Sequence, residues 1–168
     1  MDTRLTPCCP AGVRSARPSH LHYWLAHTTA ADAGPDTPVV LWLNGGPGSS
    51  SILGMLQELG PLLINQTGGL FRNPYAWTTD AHVLVLESPA GVGYSYCAAM
   101  TTGKGGCMNT DKSTAAAARA ALQYFFKEKF PGLAKNPFFV TGESCKMAGG
   151  NPEPVPLPPQ ICRYNAVQ

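Results

Sequence analysis

Apolar and polar positions divide the chain into three stretches. From about residue 20 to residue 144, short apolar runs alternate with helical spacings. Residues 1–19 and 145–168 follow neither period. Val39-Val40-Leu41-Trp42-Leu43 is continuously apolar and β-branched at its start, which predicts a strand buried on both faces. His82-Val83-Leu84-Val85-Leu86 predicts a second such strand, and Phe138-Phe139-Val140 a third, shorter one. His20 to Leu25 has strand-like aromatic content.

Between these runs the period lengthens. Ile52, Leu53, Leu56 and Leu59 fall at helical spacing after serines able to cap. Ala118, Ala121, Leu122, Phe125 and Phe126 form the apolar stripe of a longer helix. Asp111 or Ser113 can cap it, and Pro131-Gly132 ends it near Phe130. Residues 97–109 are rich in Gly and Thr and predict a mobile loop. Strand, loop, helix, strand, helix, strand is the rhythm of an α/β fold with a parallel sheet.

Composition narrows the class. Hydrophobic residues make up 44% of the 168 positions and charged residues 13%, a balance that argues for a folded domain over disorder. The net charge is +2 with no basic run, which excludes nucleic acid and anionic membrane surfaces as expected partners. No apolar run approaches the roughly 18 residues of a membrane span. The first twenty residues lack the apolar segment of a secretory signal, although Arg4, Arg14 and Arg17 against Asp2 leave a transit peptide open. The six cysteines have no zinc spacing, so no metal and no cofactor is expected, and free thiols are the default. Asn65-Gln66-Thr67 is a glycosylation sequon, relevant only on the secretory route.

The chemistry-bearing residues lie at predicted strand ends. Ligands of parallel sheets sit beyond the C-terminal ends of the strands. Asn44-Gly45-Gly46-Pro47-Gly48 follows the first buried strand, and consecutive glycines let backbone N–H groups approach a ligand closely. No Gly-Lys-Ser/Thr follows, which argues against a phosphate loop. Gly142-Glu143-Ser144 follows the last strand and is half of the Gly-x-Ser-x-Gly turn that lifts a nucleophilic serine above a sheet; Lys146 breaks the other half. A glycine loop, a strand, a long helix and then strand-Gly-x-Ser is the order of an α/β-hydrolase from its third strand to its nucleophile.

Three motifs carry a family resemblance. Leu41 to Ser51 (LWLNGGPGSSS) resembles the first signature of the serine carboxypeptidases, and Glu87 to Tyr96 (ESPAGVGYSY) their second. Asn136 to Ser144 (NPFFVTGES) is similar to the segment leading to their nucleophile, and Asn73 to Trp77 also fits. The resemblance spans about residues 20–144. It implies a partial α/β-hydrolase domain there; residues 1–19 read as an irregular leader and 145–168 as a Pro-rich tail outside the family pattern. It places the nucleophile at Ser144 and the oxyanion-hole N–H donors at Gly46 and Cys145. It assigns Asn44, Gly45 and Glu143 to the substrate's C-terminal carboxylate, with Glu143 protonated so that it can donate. Peptide or protein C-termini are the implied substrates. The implied compartment is vacuolar, lysosomal or extracellular, at odds with the missing signal segment.

The pattern breaks after Ser144, where Cys145 stands in place of tyrosine. Pro152, Pro154, Pro156, Pro158 and Pro159 exclude a helix and favour polyproline II. An alternative or misjoined C-terminal segment would produce such a switch. Ser49 replaces a cysteine that the family uses in a disulfide. The triad order in this fold is Ser, Asp, His, yet His20, His22, His27 and His82 all precede Ser144, and His82 reads as a strand-start residue. The chain alone is therefore expected to lack the catalytic Asp and His. Two readings follow: a serine-type carboxypeptidase by family, with acyltransferase or hydroxynitrile lyase chemistry open on the same scaffold, or an inactive peptide-binding or interaction module. In the second, the tail could also dock on an SH3 or WW domain. The last strand would present an apolar edge open to self-association.

Overall fold

A computed structural model describes residues 6–8, 19–46 and 48–143 of the chain. In chain order the strands and helices are β1 (Thr6–Cys8), β2 (Ser19–Leu21), β3 (Tyr23–Ala26), β4 (Val39–Leu43), α1 (Ile52–Gln57), β5 (Leu62–Ile64), β6 (Leu70–Arg72), β7 (His82–Leu86), β8 (Tyr96–Cys97), α2 (Ala98–Thr101), α3 (Asp111–Tyr124) and β9 (Phe138–Gly142). The main sheet has the order β3-β7-β4-β9. β7, β4 and β9 run parallel, and β3 pairs with β7 antiparallel. This is the expected partial α/β-hydrolase architecture, with one antiparallel strand added to a mostly parallel sheet.

The continuous apolar runs are explained by burial on both faces. Val39 and Leu41 of β4, with Leu84 and Leu86 of β7, face a core that includes Ala121 and Phe125 of α3. Trp42, Val83 and Val85 point the other way and pack with Met55 and Leu59 from and beyond α1. Successive strand residues alternate between faces, so a strand covered by helices on both sides needs apolar residues at every position. All five residues of β7 are buried.

The N-cap of the long helix lies one residue before Asp111, the first of the expected caps. Thr110 is its N-cap, and Thr110 Oγ1 accepts from the Ser113 N–H at 3.2 Å. Ser113 Oγ in turn accepts from the Thr110 N–H at 2.9 Å, completing a reciprocal capping box with serine in the third position. Beyond Tyr124 the helix widens into a π turn over Phe125–Lys129, closed by the Phe130 N–H on the Phe125 carbonyl at 2.8 Å. That turn gathers an aromatic cluster. Phe125 meets Tyr23 edge-on at 5.5 Å and Phe130 at 4.7 Å.

Three sequence expectations are corrected and one unannounced element appears. The run from His20 to Leu25 is two strands in different sheets, with His22 between them donating its N–H to Ser95 Oγ at 2.9 Å. The leader contains strand β1, which pairs antiparallel with β2. Leu62–Ile64 and Leu70–Arg72 form a hairpin the pattern did not announce. Finally, Cys97 and Cys107 form a disulfide where free thiols were expected. β8 holds Cys97 against β2, α2 turns the chain back, and the two Cα atoms come within 5.8 Å, inside bridging range. The expected mobile loop is thus tied at both ends, and Asn109 Nδ2 donates to the Ala90 carbonyl at 2.9 Å. The remaining cysteine side chains, and the whole Pro-rich tail, lie outside the described residues.

At the N-terminal end of the parallel strands, His82 is buried and its Nδ1 lies 3.3 Å from Nδ1 of the exposed His27. Burial first, and the neighbouring His27 second, push the His82 pKa below the ordinary histidine value. A depressed histidine pKa means that the unfolded chain binds the proton more readily. Stability is therefore present above about pH 6.5 and is lost as pH falls through the lower folded value. Between pH 7 and pH 5 in urea titrations, the wild type should lose more stability than His82→Gln; equal losses would refute the assignment. Phe125→Ala should cost about 3–5 kcal/mol in the same assay, as a large buried aromatic at the centre of the cluster. A cost under 1 kcal/mol would place that ring outside the core.

Candidate active site

The register of the parallel strands creates the site. Leu43 of β4 pairs with Gly142 of β9, so the next residues on each strand, Asn44 and Glu143, leave the sheet side by side. Asn44 Nδ2 donates to Glu143 Oε1 at 3.0 Å. The Glu143 N–H continues the ladder onto the Leu43 carbonyl at 3.3 Å.

The Asn44 side chain is fixed by two donors on its other end. Its Oδ1 accepts from Trp42 Nε1 at 2.8 Å and from the Gly54 N–H at 3.2 Å. Both donors require an oxygen there, which leaves Nδ2 facing Glu143. The arrangement depends on glycine at position 54. A Cβ there would lie 2.3 Å from Trp42 Nε1 and 2.8 Å from Asn44 Oδ1. The Asn44 backbone N–H donates to Ser51 Oγ at 3.2 Å, anchoring the start of the glycine loop to the start of α1.

The far end of that loop is held by a buried carboxylate. Glu87 is fully buried at the end of β7. Its Oε1 accepts from the Ser50 hydroxyl. Its Oε2 accepts from the Tyr94 N–H at 2.8 Å and lies 2.9 Å from His22 Nδ1. A buried carboxylate without such partners would be strongly destabilising. Glu87 therefore joins the β2–β3 break, the glycine loop and the 88–95 loop. Gly93 lets the last of these close over it, since a Cβ there would fall 1.8 Å from Glu87 Oε1.

Of the residues singled out in the sequence, the structure brings together Asn44, Gly45, Gly46 and Glu143 at the C-terminal end of the sheet. Gly45 is buried and Gly46 exposed. Pro47, Ser144 and Cys145 lie outside the described residues. None of the four histidines is placed with Asn44 and Glu143 by a hydrogen bond. His20 stacks on Tyr96, His22 binds Glu87, and His27 and His82 meet each other. A hollow lined by His82 and Asn136 and another lined by Tyr75 and Trp77 do not include Asn44 or Glu143. No group of three or more potential metal ligands occurs among the described residues.

Comparison with known proteins identifies the family. The serine carboxypeptidase family model matches residues 11–149. The chain belongs to the serine carboxypeptidase family. The matched span begins before residue 20 and ends after residue 144, the limits read from the motifs. The chain is 42% identical over 125 residues to carboxypeptidase Y homolog A of Sclerotinia sclerotiorum, covering 74% of this chain and 21% of that protein. It is 44% identical over 133 residues to the lysosomal protective protein of Mus musculus, covering 79% of this chain and 26% of that protein. Among solved structures it is similar to Kex1(delta)p, a prohormone-processing carboxypeptidase from Saccharomyces cerevisiae. The TM-score is 0.71 at 25% identity, over 83% of this chain and 30% of that one. This serine carboxypeptidase chain thus spans between a fifth and a third of the proteins it matches.

One residue of the site escaped the sequence reading. Glu58 caps the C-terminus of α1, and the Glu143 carboxylate acts on it electrostatically. Burial first, and repulsion from Glu143 second, raise its pKa above the ordinary glutamate value. The signal was present. Glu58 follows Gly54 by four residues, a spacing that puts both on one helix face, and Gly54 touches Asn44.

A carboxyl whose folded pKa is raised contributes stability that is fully present below its unfolded value. That contribution is lost as pH rises through the folded value. Glu58→Gln should therefore gain stability relative to wild type as pH rises from about 4 to 7. In a carboxyl NMR titration, Glu143→Gln should lower the Glu58 midpoint. An unmoved midpoint would mean that the two carboxylates do not interact.

Proposed function

We propose that this chain carries the carboxylate-recognition and nucleophile half of a serine carboxypeptidase active site. The observation that carries the reading is the 3.0 Å contact between Asn44 Nδ2 and Glu143 Oε1 at the end of two parallel strands. In the proposed complex, a peptide's terminal carboxylate lies against Asn44, the Gly45 backbone and Glu143. A carboxylate can accept from a glutamate only when that glutamate carries a proton.

Ser144 follows Glu143 directly in the chain and takes the nucleophile's role. Its hydroxyl oxygen attacks the last peptide carbonyl, the oxyanion is met by the Gly46 and Cys145 N–H groups, and the C-terminal residue leaves as the amine. The reaction needs a general base to take the serine proton and return it to the leaving nitrogen. The four histidines are each engaged elsewhere. This favours a second reading for the chain by itself, in which it binds peptide C-termini with an unarmed serine.

Calorimetric titration with a short peptide, as free acid and as C-terminal amide, tests the recognition step. The free acid should bind at least about tenfold more tightly at pH 5, the worth of one or two charge-assisted hydrogen bonds. Asn44→Ala should remove the preference. Equal affinity for acid and amide would overturn the assignment. Fluorophosphonate labelling, with Ser144→Ala as control, separates the two readings. Labelling lost in the variant means an armed serine, and no labelling of a folded sample means a binding half-site.

A further inference from the structure

The hairpin of β5 and β6 turns through Asn65-Gln66-Thr67-Gly68-Gly69, and the first three residues are the one Asn-x-Ser/Thr sequon in the sequence that lacks an intervening proline. All five residues are exposed. The turn is closed by the Asn65 N–H on the Gly69 carbonyl at 2.9 Å and the Gly68 N–H on the Asn65 carbonyl at 3.0 Å. The Asn65 side chain adds three bonds, all on its oxygen. Oδ1 accepts from the Thr67 N–H at 3.0 Å, the Thr67 hydroxyl at 2.8 Å and the Gly69 N–H at 2.7 Å. No hydrogen bond to Nδ2 occurs among the described residues. N-linked glycosylation replaces one hydrogen on that nitrogen and leaves the oxygen's lone pairs untouched. A sugar can therefore be added with every bond of the turn retained.

An independent observation bears on the compartment. The Cys97–Cys107 disulfide lies in a different part of the molecule, and disulfides persist in the oxidising secretory route where N-glycans are added. We propose that Asn65 is an N-glycosylation site. The co-reactant is an oligosaccharide linked through pyrophosphate to a lipid carrier, handled by the host's transferase. Asn65 Nδ2 forms a bond to the anomeric carbon, the carbon–oxygen bond to pyrophosphate breaks, and the displaced amide proton passes to a base of the transferase. No oxidant or reductant takes part.

The test is to express the full 168-residue chain behind a cleavable secretory leader in a eukaryotic host. The secreted protein is then treated with peptide N-glycosidase in heavy-oxygen water. The expected result is a discrete mass loss, with an oxygen-labelled aspartate at position 65 in the tryptic peptide. Thr67→Ser should keep the modification and Thr67→Ala should abolish it. Secreted protein with Cys97–Cys107 oxidised and Asn65 unmodified would overturn the proposal. A glycan that survives in Thr67→Ala would do the same.

Discussion

The parallel pairing of β4 with β9 is the constraint on which the rest of the molecule depends. Residues 39–43 and 138–142 are about a hundred positions apart, yet their ladder is in register along its whole length. The register is set by burial. Val39, Leu41 and Phe138 face one core, and a slip by one residue would turn each side chain to the wrong face. The same register delivers Asn44 and Glu143 to a common point. Recognition geometry is thus a by-product of core packing, and the polar contact itself contributes little to holding the strands.

Two supports keep that point in place. Trp42 and Gly54 hold the asparagine oxygen. Glu87 collects a hydroxyl, a backbone N–H and an imidazole from three segments. Two of the donors, the Gly54 and Tyr94 N–H groups, lie outside any strand ladder, where backbone polar groups need other partners. The site is therefore organised by backbone satisfaction as much as by the side chains that would touch a ligand.

How much of this could be read from the sequence follows from how local the deciding forces are. β4, β7, β9 and α3 were legible because their apolar positions report burial directly. The glycine loop and the 142–144 turn were legible because they follow buried strands of a parallel sheet, while the pairing of Asn44 with Glu143 came from the family resemblance. The β5–β6 hairpin was not, since Leu70, Phe71 and Arg72 are all exposed and leave no alternation to read. The Cys97–Cys107 pair was hidden because bridging depends on how α2 turns the chain, and six cysteines alone permit many pairings. Thr110 was passed over for Asp111 because both residues can cap, and only the backbone angles decide. Glu58 required knowing that α1 presents its Gly54 face to Asn44. The proposed nucleophile and the proline-rich tail rest on the sequence alone.

Trp42 has a consequence of another kind. Its ring packs among Met55 and Val83, while its nitrogen holds the asparagine that meets Glu143. Gly54 is small because the indole occupies the space a side chain would need. Neither position can vary alone. A bulkier residue at 54 would collide with the indole, and a smaller one at 42 would open a hole and release Asn44. Mutational drift at this corner has to proceed in pairs, through intermediates that fold poorly or bind poorly. Positions 42, 44 and 54 should therefore behave as one inherited unit, even though one belongs to the interior, one to the site and one to a helix between them.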